Sequence, residues 1–130
     1  MIIIEYVNEY LEGEPPPNFL WRGKVLDFLQ LVKDLHVLGV SNGQNILLNE
    51  FNYISIEDDM QIELYSNKDK KILNKKEDKT IIIDLDKKLW REIIVQFLHI
   101  SFEESHDYVD LDEYVVLEDA NFIISSDINN

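Results

Sequence analysis

Residues 80–100 read TIIIDLDKKLWREIIVQFLHI, and no other stretch limits the fold of this chain as strongly. Ile81, Ile82 and Ile83 form a β-branched run that suits a strand covered on both faces and ends at Asp84. Asp84 or Asp86 then caps a helix, because a short carboxylate accepts hydrogen bonds from the free amides of a first turn. Leu85, Leu89, Trp90, Ile93, Ile94, Phe97 and Leu98 fall on one helical face, with Lys87, Lys88, Arg91, Glu92 and Gln96 on the other. Burying such a stripe is worth roughly 1.5–3 kcal/mol per side chain before chain entropy is subtracted, which makes the helix part of the core. A strand feeding directly into an amphipathic helix therefore anchors the expected fold.

With 130 residues the chain suits one domain, and roughly two-thirds of its unfolded surface can be buried without staples. It contains no cysteine, which excludes disulfides, thiolate metal sites and a thiol nucleophile and fits a reducing cytoplasm. The opening MIIIEYVNEY has no basic leader, so no secretory signal is expected. No uncharged apolar run approaches the ~18 residues that span a bilayer, and a soluble protein is expected.

Taken in order, residues 2–11 suit an edge strand or a short helix, and the β-branched opening favours a strand at residues 2–7. Three consecutive prolines make residues 12–18 a loop. A second helix is expected over about 24–38, with Val25, Leu26, Phe28, Leu29, Val32, Leu35 and Leu38 as its apolar stripe, Gly39 as a left-handed terminator and Val40 folded back on the last turn. Ile54 and Ile56, then Met60, Ile62 and Leu64, alternate with polar residues about Asp58-Asp59, the pattern of a hairpin. Residues 67–79 hold six lysines and three acids, and form either a mobile loop or an exposed strand with a lysine-rich edge. Residues 108–111, 114–117 and 122–125 look like strands, although 111–120 can also take a helical turn. The fold expected is α+β: one domain with a largely antiparallel sheet of about five or six strands and two main helices, about 24–38 and 86–99, packed on it.

The formal charge of −14 is unevenly spread. Residues 1–56 carry seven acids and three bases, residues 57–100 ten and nine, and residues 101–130 nine and none. A field of this kind repels nucleic acid and anionic membranes and attracts a basic partner, although a solvated face that maintains solubility explains it equally well. The lysine-rich 67–79 segment lacks interleaved arginine or aromatics, so nucleic acid is not an expected partner.

Candidates for chemistry are few. His99, Glu103 and His106 lie at offsets 0, 4 and 7, which on a continuous helix sets two imidazoles and a carboxylate on one face, a set that holds zinc or iron. The serines and neighbouring acids at 101–105 argue instead for a helix end near His99, and His36, His99 and His106 all have structural roles open to them. Ser101, Ser105, Ser125 and Ser126 lack a nucleophile elbow, and four glycines form no phosphate loop. No catalytic residue and no cofactor are expected. Phe19, Trp21 and Phe51 either close the core or form an exposed aromatic patch.

Lys88-Leu89-Trp90 on a helix, a following His106-Asp107-Tyr108 and a late strand over residues 122–126 give the chain a resemblance to the small immunity proteins encoded beside bacterial toxins. The resemblance implies a cytoplasmic antidote that blocks one toxin domain and has no catalytic residues of its own. Its contact surface would comprise Glu103, Glu104, Asp107, Tyr108, Asp110, Asp112, Glu113, Tyr114, Glu118 and Asp119, facing a basic toxin, for example a nuclease cleft. Charge would speed encounter while Tyr108 or Tyr114 supplied affinity. The competing expectations are a small metal-dependent enzyme built on His99, Glu103 and His106, and a regulatory module that mimics the charge of DNA.

Overall fold

A computed structural model of the chain describes residues 1–7, 17–67, 73–77, 79–101, 107–110 and 121–126. In chain order the elements are β1 (Ile2–Val7), β2 (Asn18–Gly23), α1 (Val25–Val40), β3 (Gln44–Leu47), β4 (Ile54–Ile56), β5 (Gln61–Ser66), β6 (Leu73–Glu77), β7 (Thr80–Leu85), α2 (Lys87–Ser101), β8 (Asp107–Asp110) and β9 (Asn121–Ser126). The class is α+β, as the sequence implies. The strands form two mixed sheets, however, rather than one largely antiparallel sheet, in the orders β4-β1-β2-β9-β8 and β3-β5-β7-β6. Three strand pairs, β1 with β4, β2 with β9 and β5 with β7, are parallel. No helix among the described residues is long and apolar enough to cross a membrane.

The division into two sheets falls where a hairpin was expected. Asp58 and Asp59 do turn the chain, both with positive φ (61° and 54°), but β4 leaves to pair with β1 while β5 pairs with β3 and β7. Alternation marks which face of a strand is apolar and carries no information about its neighbour. Asn49 holds the divergence in place: its Nδ2 donates to the Met60 carbonyl at 2.8 Å and its Oδ1 accepts from Ile62 N at 3.0 Å.

Both sheets and both helices share one core. From the first sheet come Ile2, Ile4, Phe19, Trp21, Phe122 and Ile124, and from the second Ile62, Leu64, Ile81, Ile83 and Leu85. Among the described residues two strands are covered on both faces: β2, where Phe19, Leu20 and Trp21 are buried in succession, and β9, where Phe122, Ile123 and Ile124 are. β7, expected to be covered in this way, alternates instead, and Ile82 is only half-buried on its outer face. Its position between β5 and β6 makes β7 an interior strand of its own sheet.

α2 follows β7 with a single intervening residue, Asp86, whose carbonyl accepts from Leu89 N and Trp90 N at 3.0 and 3.1 Å and so begins the helix. Leu85 closes the strand, and Trp90, Ile93, Phe97 and Ile100 form the buried stripe. Trp90 Nε1 donates to the Tyr65 carbonyl at 2.8 Å, fixing the helix to β5. Phe97 stacks on Trp21 of β2 and on Phe28 of α1, with centroids 5.7 and 5.9 Å apart, and so couples three elements.

α1 runs two residues past its expected end. Gly39 is buried within the helix, Val40 is exposed rather than folded back, and the left-handed residue is Gly43, with φ 83°. Gly39 serves the helix crossing: a Cβ there would lie 2.9 Å from Arg91 Cγ, and Arg91 Nε donates to the Gly39 carbonyl at 2.5 Å. The buried stripe of α1 is Phe28, Leu31, Leu35 and Leu38, while Leu26 and Leu29 of the expected stripe face outward. Residues 73–77 of the lysine-rich segment form β6, an edge strand that carries Lys75 and Lys76.

Candidate functional site

The acidic C-terminal surface implied by the sequence is described only in part. Asp107, Tyr108 and Asp110 lie in β8, the edge strand of the first sheet, whose backbone pairs Asp107 with Ser126, Tyr108 with Ser125 and Asp110 with Ile123. Glu103, Glu104, Asp112, Glu113, Tyr114, Glu118 and Asp119 lie outside the described residues.

Of the three possible metal ligands, His99 sits exposed in the last turn of α2, and Glu103 and His106 lie outside the described residues. Among the described residues no group of three or more histidines and carboxylates is placed to hold a metal ion. His36, on α1, donates from Nδ1 to the Lys33 carbonyl at 2.8 Å, which is a local structural role.

The structure assembles a second acidic surface from residues far apart in sequence. Asp27, Gln30 and Asp34, at offsets 0, 3 and 7, occupy one face of α1. Opposite them runs the segment Glu50, Phe51, Asn52 and Tyr53, and the two walls enclose an open groove of about 730 Å³. The segment is fixed by bonds from Phe51 N to the Leu48 carbonyl, Ile54 N to the Phe51 carbonyl and Ile2 N to the Tyr53 carbonyl, at 3.2, 3.3 and 2.8 Å. Phe51 and Tyr53 stack with centroids 5.6 Å apart, giving this wall an aromatic face.

The carboxylates of the groove differ in their surroundings. Asp34 Oδ2 accepts from the Tyr53 hydroxyl at 2.6 Å and from Gln30 Nε2 at 3.1 Å. Asp27 Oδ2 accepts from Lys24 N at 3.3 Å and pairs with the Met1 ammonium at 2.7 Å. Glu50 is exposed and takes part in no hydrogen bond or ion pair among the described residues. Burial, reinforced by the bond to Asp34 and by the charges of Asp34 and Asp27, pushes the Tyr53 phenol well above its ordinary range. No lysine or arginine lines the groove. Leu26 stands on its rim with 76 % of its surface exposed.

Sequence reasoning identified none of the groove's acids. Phe51 was grouped with Phe19 and Trp21, yet those two are buried in the core and Phe51 pairs with Tyr53 instead. The available signal was the misfit of Leu26, an apolar residue off the true buried stripe and beside Asp27. The pairing of α1 with residues 50–53 depends on tertiary contact and left no local trace. No protein-family model, curated protein or solved structure matches the chain.

Proposed function

We propose that this chain is an inhibitor or immunity-type protein that acts in the cytoplasm by binding and neutralising a basic partner, such as a toxin domain, rather than by catalysis. The observation that carries the reading is the charge asymmetry: nine acids and no lysine or arginine in residues 101–130, within a chain of net charge −14. Part of that run, Asp107 to Asp110, lies on β8 at the edge of the first sheet, joined to the core through β9. Acids at a sheet edge steer a basic partner and raise its encounter rate, while aromatic residues of the same stretch of sequence, Tyr108 and Tyr114, would supply contact area. The resemblance to toxin-immunity proteins points the same way.

The test begins with capture from the native cell on the immobilised chain and inspection of the neighbouring reading frames for a toxin-like gene. With the captured partner, Asp107, Asp110, Asp112 and Glu113 are changed together to Asn or Gln and association is followed at several salt concentrations. Slower association with a flatter salt dependence supports the reading, and an unchanged rate removes this surface from the interface. A stoichiometric metal in chelator-free protein, lost on changing His99, would favour the metalloenzyme instead.

A further inference from the structure

We infer that the groove between α1 and residues 50–53 is a docking site for an arginine side chain flanked by apolar residues on a basic protein partner. The inference rests on the reading of the chain as a binder of such a partner and assigns the partner's contact chemistry at a face remote in sequence from the C-terminal acids. Both walls supply a carboxylate: α1 gives Asp34, oriented by the Tyr53 hydroxyl at 2.6 Å, and the opposite segment gives Glu50, unengaged among the described residues. The Glu50 segment also supplies the stacked Phe51 and Tyr53 rings. Among the described residues no lysine or arginine lines the groove, and the Met1 ammonium is paired with Asp27 rather than with Asp34 or Glu50.

A guanidinium matches both walls, since it is planar, donates in a fork to carboxylates and stacks flat on aromatic faces, whereas a tetrahedral ammonium pairs with a carboxylate less directionally and cannot stack as a plane. The rim extends the match to the flanking residues. Leu26 and Met1 expose 76 % and 62 % of their surfaces and line an adjoining pocket with Lys24, Val25 and Asp27, and their apolar area is what a flanking apolar residue would cover. Charge complementarity thus selects the central residue and the exposed apolar rim selects its neighbours.

The test titrates isotope-labelled full-length chain with three end-capped tripeptides, each leucine–X–leucine with arginine, lysine or glutamine at the centre. The expected result is saturable amide shifts confined to residues 26–34 and 50–53 with the arginine peptide, weaker ones with lysine and none with glutamine. Asp34→Asn and Glu50→Gln should each weaken the arginine peptide by about two- to fivefold, the range of single exposed ion pairs. Asparagine at 34 keeps an oxygen acceptor for the Tyr53 hydroxyl, and unchanged spectra elsewhere verify that the fold persists. Equal response to glutamine, shifts scattered over acids throughout the surface, or an affinity indifferent to Glu50→Gln would each overturn the proposal. The two proposals fail separately. Peptide binding at the groove without capture of any basic protein overturns the functional reading alone, whereas a captured partner indifferent to Asp34→Asn and Glu50→Gln but sensitive to the C-terminal substitutions overturns this inference alone.

Discussion

Two residues show how single atoms decide local structure. Gly39→Ala gains helix propensity, worth about 0.5–1 kcal/mol, yet its new Cβ meets Arg91 Cγ at 2.9 Å and disturbs the bond from Arg91 Nε to the Gly39 carbonyl. The expected outcome is a loss of roughly 1 kcal/mol in chemical denaturation, turning into a gain when Arg91→Ala is already present. If the substitution costs as much in the Arg91→Ala background, the crossing is not what requires glycine. Tyr53 gives the pH prediction. Below pH ~10 its phenol is neutral in both folded and unfolded chains and adds no slope. Above that value the unfolded phenol ionises while the raised folded phenol keeps its proton, so stability falls with rising pH, by less than the limiting ~1.4 kcal/mol per pH unit because the ring is only part-buried and solvent screens the Asp34 and Asp27 charges. Tyr53→Phe should flatten that alkaline decline while costing about 1.5–3 kcal/mol at neutral pH through the lost bond to Asp34. Denaturant midpoints measured against pH for the two proteins check both parts.

At the scale of elements, α2 acts as the bolt of the core, and the consequence is measurable along its own faces. Phe97→Ala removes a ring that touches both β2 and α1 and should cost about 3–5 kcal/mol, while Val95→Ala on the face that is 56 % exposed should stay within about 0.5 kcal/mol. Thermal unfolding of the two variants checks the contrast. β1, α1 and α2 were legible in the sequence because each rests on a local period or on β-branched composition. β2 was not, since Asn-Phe-Leu-Trp-Arg-Gly has no alternation and, unlike the isoleucine-bearing runs of β7 and β9, no β-branched residue to mark it as a strand. The hairpin expected at Asp58-Asp59 was misread for a different reason: the turn was real, but its two strands belong to different sheets, and that choice is made by β1 and β7. The groove was illegible for the same reason, because Asp34 and Tyr53 meet only after the two sheets have closed on the helices.

At the scale of the whole molecule, charge works against compactness. The C-terminal acids are uncompensated by any nearby sequence cation, so raising salt from very low levels to ~0.15 M, where the Debye length is about 8 Å, should raise the melting temperature. A melting temperature that falls with salt would mean that the acids are already paired within the fold. The order of the first sheet carries a further consequence, for the order of synthesis. β9 is the penultimate strand in that sheet but the last in sequence among the described residues, and it lies between β2 and β8 with Asn18 paired to Asn121. A growing chain therefore presents β2 with an open edge, and Phe19 and Trp21 without Phe122, until residues 121–126 have been made. Nascent chains stalled before Asn121 should remain protease-sensitive, and resistance should arrive in a single late step once residues 121–126 have cleared the ribosome.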